Sequence, residues 1–255
     1  MLRTSGLTKQ FGGLTAVDAV DFELAADELC SLIGPNGAGK TTFFNLLTGV
    51  LDPTEGRIEL DVDGTPTDIT GASPDATARL GLHRSYQITN IFPQSSVLEN
   101  VRISAQAHYD SAMKFWRNVG AFDDQYEEAW QVIERVGLAE KARATAQNLS
   151  HGEKRQLEVA IALAGDPDVL LLDEPTAGVS TEGVDAIIDL IEDVAADHAV
   201  LLVEHNMDLV MHVSDRIVVL HQGERIADGS PEQVREDPAV QEAYLGGYGS
   251  AAAAA

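Results

Sequence analysis

A chain of 255 residues with 44% apolar residues has the length for one large domain and the hydrophobicity for a core, which excludes a wholly disordered protein. Against 41 Asp and Glu stand 17 Lys and Arg, a net charge of −24, and only five of the basic residues are lysines (Lys9, Lys40, Lys114, Lys141, Lys154). Such a surface repels phosphate backbones and anionic headgroups, so no nucleic-acid partner is expected. The acid excess and scarce lysine resemble proteins of salt-loving organisms and predict folding and activity that improve toward molar KCl.

Met1 to Ser5 lead into no apolar stretch of a secretion signal, and no apolar run approaches the ~20 residues of a membrane span. The expectation is a soluble, intracellular chain without direct lipid insertion, or one held to a membrane only through a partner. Alternation in Val20-Asp21-Phe22-Glu23-Leu24 predicts a half-buried strand. Leu29 to Ile33 is a short apolar run ending at a glycine-rich turn. The lone Cys30 lies inside it, which rules out an internal disulfide and a multi-cysteine metal site. A helix is predicted from Lys40.

Residues from about 90 to 150 carry no comparable apolar strand. Ala129, Trp130, Ile133 and Val136 fall at helical spacing there, with Gly137 as a stop, and Trp116 and Trp130 read as packing residues. Helices are predicted over about Gly152 to Ala164 and Glu182 to Ala196. Val169–Leu172, Ala199–Val203 and Ile217–Leu220 are apolar throughout, as expected of central, mainly parallel strands. The alternation is an α/β pattern with a helical subdomain inserted. From Gly246 to Ala255 a Gly/Ala tail is expected to be frayed.

Gly34-Pro35-Asn36-Gly37-Ala38-Gly39-Lys40-Thr41 satisfies G-x-x-x-x-G-K-[ST] between a predicted strand and a predicted helix. Its glycines let backbone N–H groups surround a polyphosphate at the positive end of the following helix. Lys40 would reach the β- and γ-phosphates of ATP, and the Thr41 hydroxyl would coordinate Mg²⁺. Asp173, at the end of an apolar strand, is a further Mg²⁺ candidate; Glu174 can orient or deprotonate an attacking water. In Leu149-Ser150-His151-Gly152-Glu153, Ser150 and Glu153 have capping-box spacing. The exposed helix start, the Ser150 hydroxyl and the Gly152 amide can also bind phosphate.

With that segment 23 residues before Asp173, the sequence resembles the ATP-binding-cassette ATPases. His151 and Glu153 stand where the family's signature has Gly and Gln, while Ser150 and Gly152 are retained. The resemblance covers about residues 2 to 245. It implies a P-loop NTPase (RecA-like) core with an N-terminal antiparallel β subdomain and an inserted α-helical subdomain. The expected single domain spans 1–245, with the core over about 1–90 and 160–245 and the helical part over about 91–159.

The resemblance also implies residue roles. ATP contacts fall on Phe11, which stacks on adenine, on Asn36, Gly37, Ala38, Gly39, Lys40, Thr41 and Thr42, and on Ser150 and Gly152. Mg²⁺ falls to Thr41, Asp173 and Gln87, and catalysis to Glu174, Gln87 and His205, the switch histidine. The signature of one subunit would contact ATP on the other, so a second cassette, identical or paralogous, is required. Ala177-Gly178-Val179-Ser180 replaces the family's Ser-Ala-Leu-Asp, so no role passes to Ser180.

The opening Leu7 to Leu14, Arg84-Ser85-Tyr86-Gln87 with Ile91-Phe92-Pro93, the Ala-Gly-Val-Ser turn and the ending Glu242 to Gly246 are similar to one subgroup. These are the ATPases of importers for branched-chain and related amino acids, urea and amide types included. Membership implies transmembrane permeases, an external substrate-binding protein reached indirectly, and a cytoplasmic position on the inner face of the membrane. A soluble cassette ATPase and a P-loop kinase are the alternatives. The kinase leaves the signature and His205 unexplained.

Overall fold

The computed structural model describes residues 1–85, 91–109 and 120–249; Gln87, Trp116 and residues 250–255 lie outside the described residues. Strands β1 (Leu2–Phe11) and β2 (Leu14–Leu24) form a hairpin, and β3 (Leu29–Ile33) leads into helix α1 (Lys40–Leu47). A second hairpin, β4 (Glu55–Val62) and β5 (Thr65–Asp68), is followed by α2 (Pro74–Arg79) and β6 (Leu82–Ser85). Next come α3 (Val97–Tyr109), α4 (Gly120–Arg135) and, after two short 3-10 turns, α5 (His151–Leu163). The remainder is β7 (Val169–Asp173), α6 (Thr181–Ala195), β8 (Ala199–Val203), α7 (Met207–Val213), β9 (Arg216–His221), β10 (Glu224–Gly229), α8 (Pro231–Glu236) and α9 (Pro238–Gly249).

Two sheets result, one antiparallel in the order β2-β1-β4-β5, the other in the order β10-β9-β3-β8-β7-β6. In the second, β3 and β6 through β9 run parallel, and β10 closes one edge antiparallel to β9. Every residue of β3, β7 and β8 is buried, as expected when both faces of a parallel sheet are covered. The period of two sorts them between two cores. Leu170, Leu172, Val200 and Leu202 face α5, α6 and the helical region, while Val169, Leu171, Leu201 and Val203 face α1 and the antiparallel sheet. Phe22 and Phe43 meet edge to face across that second core, 5.6 Å between ring centroids. Each such fully buried large side chain contributes about 1.5–3 kcal/mol.

In the helical region Ala129, Ile133 and Val136 are buried and Trp130 packs beside them, its indole N–H donating to Glu134. Gly137, at φ 75, ends α4. Just before it, Arg135 pairs with Asp193 and Asp197, tying α4 to α6 and the residues after it. Of the tail expected to be frayed from Gly246, residues 246–249 belong to α9 instead, and the rest lies outside the described residues. Among the described residues no helix is long and apolar enough to cross a membrane.

Candidate functional site

The parallel strands β3, β7 and β8 end side by side, and the chain leaving each carries one part of the site, as open α/β sheets arrange it. From β3 comes the glycine-rich loop. Gly34 sits at φ 153 with Leu220 O only 2.1 Å from where a Cβ would lie; Gly39 sits at φ 105 with Ala16 O at 2.4 Å. Both positions exclude any side chain. Gly39 also opens α1 without a capping side chain, so the first N–H groups of the helix are left for a ligand. Asn36, Gly37 and Thr41 are exposed, Thr42 half-buried and Ala38 buried.

Lys40 is 7% exposed, and its ammonium donates to the carbonyls of Gly34 at 2.6 Å and Pro35 at 3.2 Å. Burial holds its pKa below the usual lysine value, opposed by the negative charges of Glu174 and Asp173. A buried ammonium on neutral carbonyls, beside helix N–H groups that no side chain caps, fits a polyphosphate chemically.

β7 delivers the acidic pair. Asp173 is buried, and its Oδ2 accepts from Arg84 of β6 at 2.6 Å. Arg84 also donates to Asn45 Oδ1 at 2.7 Å and lies over the Phe44 ring. The sequence reading gave Arg84 no role at the site. Glu174 takes a left-handed backbone, φ 50, uncommon for a residue with a side chain, and its N–H donates to Val203 O at 2.8 Å. Beyond β8, His205 Nε2 lies 2.9 Å from Glu174 Oε1, so the Nε2–H tautomer donates to that carboxylate.

The signature lies elsewhere. Ser150 caps α5: its Oγ accepts from Glu153 N–H at 3.3 Å, and Glu153 Oε2 accepts from Ser150 N–H at 2.8 Å. Among the described residues no hydrogen bond joins Ser150 or Gly152 to residues 34–42. Helix α5 neighbours the 177–180 turn instead: Arg155 donates to Ala177 O at 3.5 Å, and a Cβ on Gly152 would meet Val179 at 3.5 Å. Phe11 ends β1, about half exposed, with the Lys9 ammonium over its ring at 5.2 Å. Gln87 falls outside the described residues. A groove of about 440 Å³ opens between the sheet and the helical region, lined by Pro74, Arg79, His83, Ile91, Ser104 and Glu158 among others.

Residues 17–177, from the first hairpin through the acidic pair, match the family described as ABC transporter. The chain belongs to the ABC transporter family. The cassette is 40% identical, over 96% of its own length and 98% of theirs, to two high-affinity branched-chain amino acid transport ATP-binding proteins, BraF of Pseudomonas aeruginosa and LivG of Escherichia coli. A probable LivG of Archaeoglobus fulgidus is 33% identical over 98% of the cassette and 97% of that relative. Residues 224–249 match a second family, described as branched-chain amino acid ATP-binding cassette transporter. Among solved structures, the ADP conformation of MJ1267, an ATP-binding cassette of an ABC transporter, aligns with TM-score 0.83 and 29% identity over 96% of the cassette and 98% of that chain. The P-loop NTPase fold expected from the sequence is therefore the observed one, and the cassette is an ATPase of the kind coupled to transport.

The segment 224–249 has a place at the site. Residues of β10 and α9 face the glycine-rich loop across a cavity of about 580 Å³ bordered by Pro35 to Ala38, Gln222, Ile226, Ala239 and Glu242. Tyr244 packs against the small core cluster that includes Ile33, the residue before Gly34.

Proposed function

We propose that the cassette hydrolyses ATP to power uptake of branched-chain or related amino acids, urea and amides included, through partner permeases. What carries this reading is similarity to branched-chain amino acid cassettes over 96% of the chain, residues 224–249 included. The protein acts on the cytoplasmic face as one of a pair of cassettes, identical or paralogous. An external binding protein supplies the permeases with substrate.

The N–H groups of residues 36–42 and the Lys40 ammonium hold the ATP phosphates, and Phe11 stacks on the adenine. Thr41, Asp173 and Gln87 would hold Mg²⁺. Among the described residues no group of three His, Cys, Asp or Glu suited to a metal exists. Bound there, the ion neutralises charge on the phosphates. Arg84 fixes Asp173 in place. Glu174 orients and deprotonates the water, and His205 holds the Glu174 carboxylate and faces the γ-phosphate. Ser150 and Gly152 of one cassette close on the ATP of the other, and the groove beside Ile91 and Glu158 receives a permease helix.

Glu174→Gln leaves ATP binding intact and lowers turnover by orders of magnitude, read by nucleotide titration beside phosphate release. The tagged cassette is expected to co-purify with polytopic membrane proteins, and deletion of its gene to abolish uptake of labelled leucine. A tight ribosome or nucleic-acid complex with unchanged uptake sinks the transport reading in favour of a soluble ATPase.

A further inference from the structure

Glu204, the first residue after β8, is only 4% exposed. Its Oε1 accepts two hydrogen bonds from Thr176, from the N–H at 2.8 Å and from the hydroxyl at 2.6 Å. Its Oε2 accepts the N–H of His205 at 3.0 Å. One buried carboxylate therefore spans the turn after Glu174 and the backbone that carries His205. The strand ladder brings the two segments this far. Asp173 pairs with Val203, and Glu174 N–H donates to Val203 O, after which β7 and β8 part. Glu204 continues the stitching by side chain where backbone pairing stops.

A buried carboxylate is costly unless its oxygens are hydrogen-bonded, and bonds to an ionised acceptor are the stronger ones. These three donors thus bind both segments firmly. Between the ladder and the clamp stands Glu174 in its left-handed backbone, held on one side by Val203 and on the other by Thr176 two residues on. That leaves little freedom in the direction of its carboxylate toward His205 Nε2.

We propose that Glu204 is a positioning residue that sets the Glu174–His205 pair for hydrolysis by tying the turn after Glu174 to the backbone of His205. The proposal rests on the roles given above to Glu174 and His205. Glu204 touches neither reacting group through its side chain, so it acts through geometry alone. An amide cannot replace it: Glu204→Gln keeps one acceptor oxygen and turns an NH₂ toward an N–H donor, releasing one of the two segments. Thr176→Val removes only the hydroxyl donor and keeps the backbone bond.

The experiment is a double-mutant cycle on the full chain, with ATP affinity and kcat measured for wild type, Glu204→Gln, His205→Ala and the double variant. Glu204→Gln is expected to leave ATP affinity within about twofold while kcat falls about tenfold, and to add little to His205→Ala. Thr176→Val follows the same pattern more weakly, and carries the cycle if Glu204→Gln does not fold. A second readout needs no turnover. In ¹⁵N-histidine-labelled protein, the His205 imidazole signal, assigned by its loss in His205→Ala, moves toward the solvated position in Glu204→Gln. Wild-type kcat in Glu204→Gln, a fully additive cycle or an unmoved His205 signal each overturns the proposal. A wild-type chain without ATPase activity sinks the functional reading instead, and the imidazole spectrum still decides whether Glu204 positions His205.

Discussion

Two helix starts in this molecule present backbone N–H groups, and they do so differently. α1 opens on Gly39, with no capping side chain and no acidic residue in its first turn. α5 opens on Ser150 with a complete capping box, and Glu153 places a carboxylate in its first turn. The first leaves its donors and its positive end for an external anion. The second satisfies part of its own demand and offsets its own dipole, so it holds an anion well only when another surface brings one to it. That contrast suits a loop that binds nucleotide alone and a signature that engages on closure of a pair.

The largest effect is expected at α1. Lys40→Ala removes the ammonium and lowers ATP affinity by about 30-fold or more, the scale of truncating one partner of a desolvated charge pair, read by titration with a fluorescent nucleotide. Unchanged affinity would break the assignment of α1 as the standing site. Alanine at the two helix-start glycines comes next. At Gly39 the new Cβ meets Ala16 O at 2.4 Å in a left-handed backbone, and at least about 1–3 kcal/mol of stability goes with nucleotide binding. At Gly152 the contact with Val179 is an ordinary 3.5 Å, so stability stays within about 0.5 kcal/mol while turnover of the paired cassettes falls. Equal behaviour of the two variants in calorimetry would erase the contrast.

Ser150→Ala removes the cap of α5 at a cost of about 1 kcal/mol, measurable by denaturant midpoint, with single-chain ATP affinity unchanged. Smallest is Glu153→Gln, which keeps a capping partner and removes the charge. The hydrogen bond from Ser150 N–H holds the Glu153 carboxyl below its ordinary value of 4.5. Its contribution is therefore fully present above pH 4.5 and lost as pH falls through the lower folded value. Wild type is expected to lose its stability advantage over Glu153→Gln on acidification, and a difference that grows toward low pH would refute the sign. With its own dipole less offset, the variant should also pair more readily on ATP by up to about 1 kcal/mol.

What could be read in the chain depended on whether a signal was local. β3, β7 and β8 were legible because burial on both faces leaves unbroken apolar runs. β4 and β5 were not, since Glu55–Val62 is half wet and Thr65-Pro66-Thr67-Asp68 is almost wholly exposed. The loop, the Asp173-Glu174 pair and the capping box are contiguous and stood out at once. Arg84 meets Asp173 across 89 residues of chain, and Glu204 meets Thr176 across 28, so no spacing rule could join them. A carboxylate directly after a buried strand was the one hint at Glu204. Nothing local marked α9 as continuing to Gly249, because its last turn, Gly246 to Gly249, is glycine-rich.

Cys30 lies buried in β3, and burial pushes its thiol up to about 12. To alkylating reagents near neutral pH the native chain thus behaves as though it carried no cysteine, and it titrates one thiol only when unfolded. A cysteine placed at Ser180 or at another exposed surface position would be the sole reactive handle. One bifunctional reagent could then trap two cassettes at a chosen stage of closure and report which faces meet.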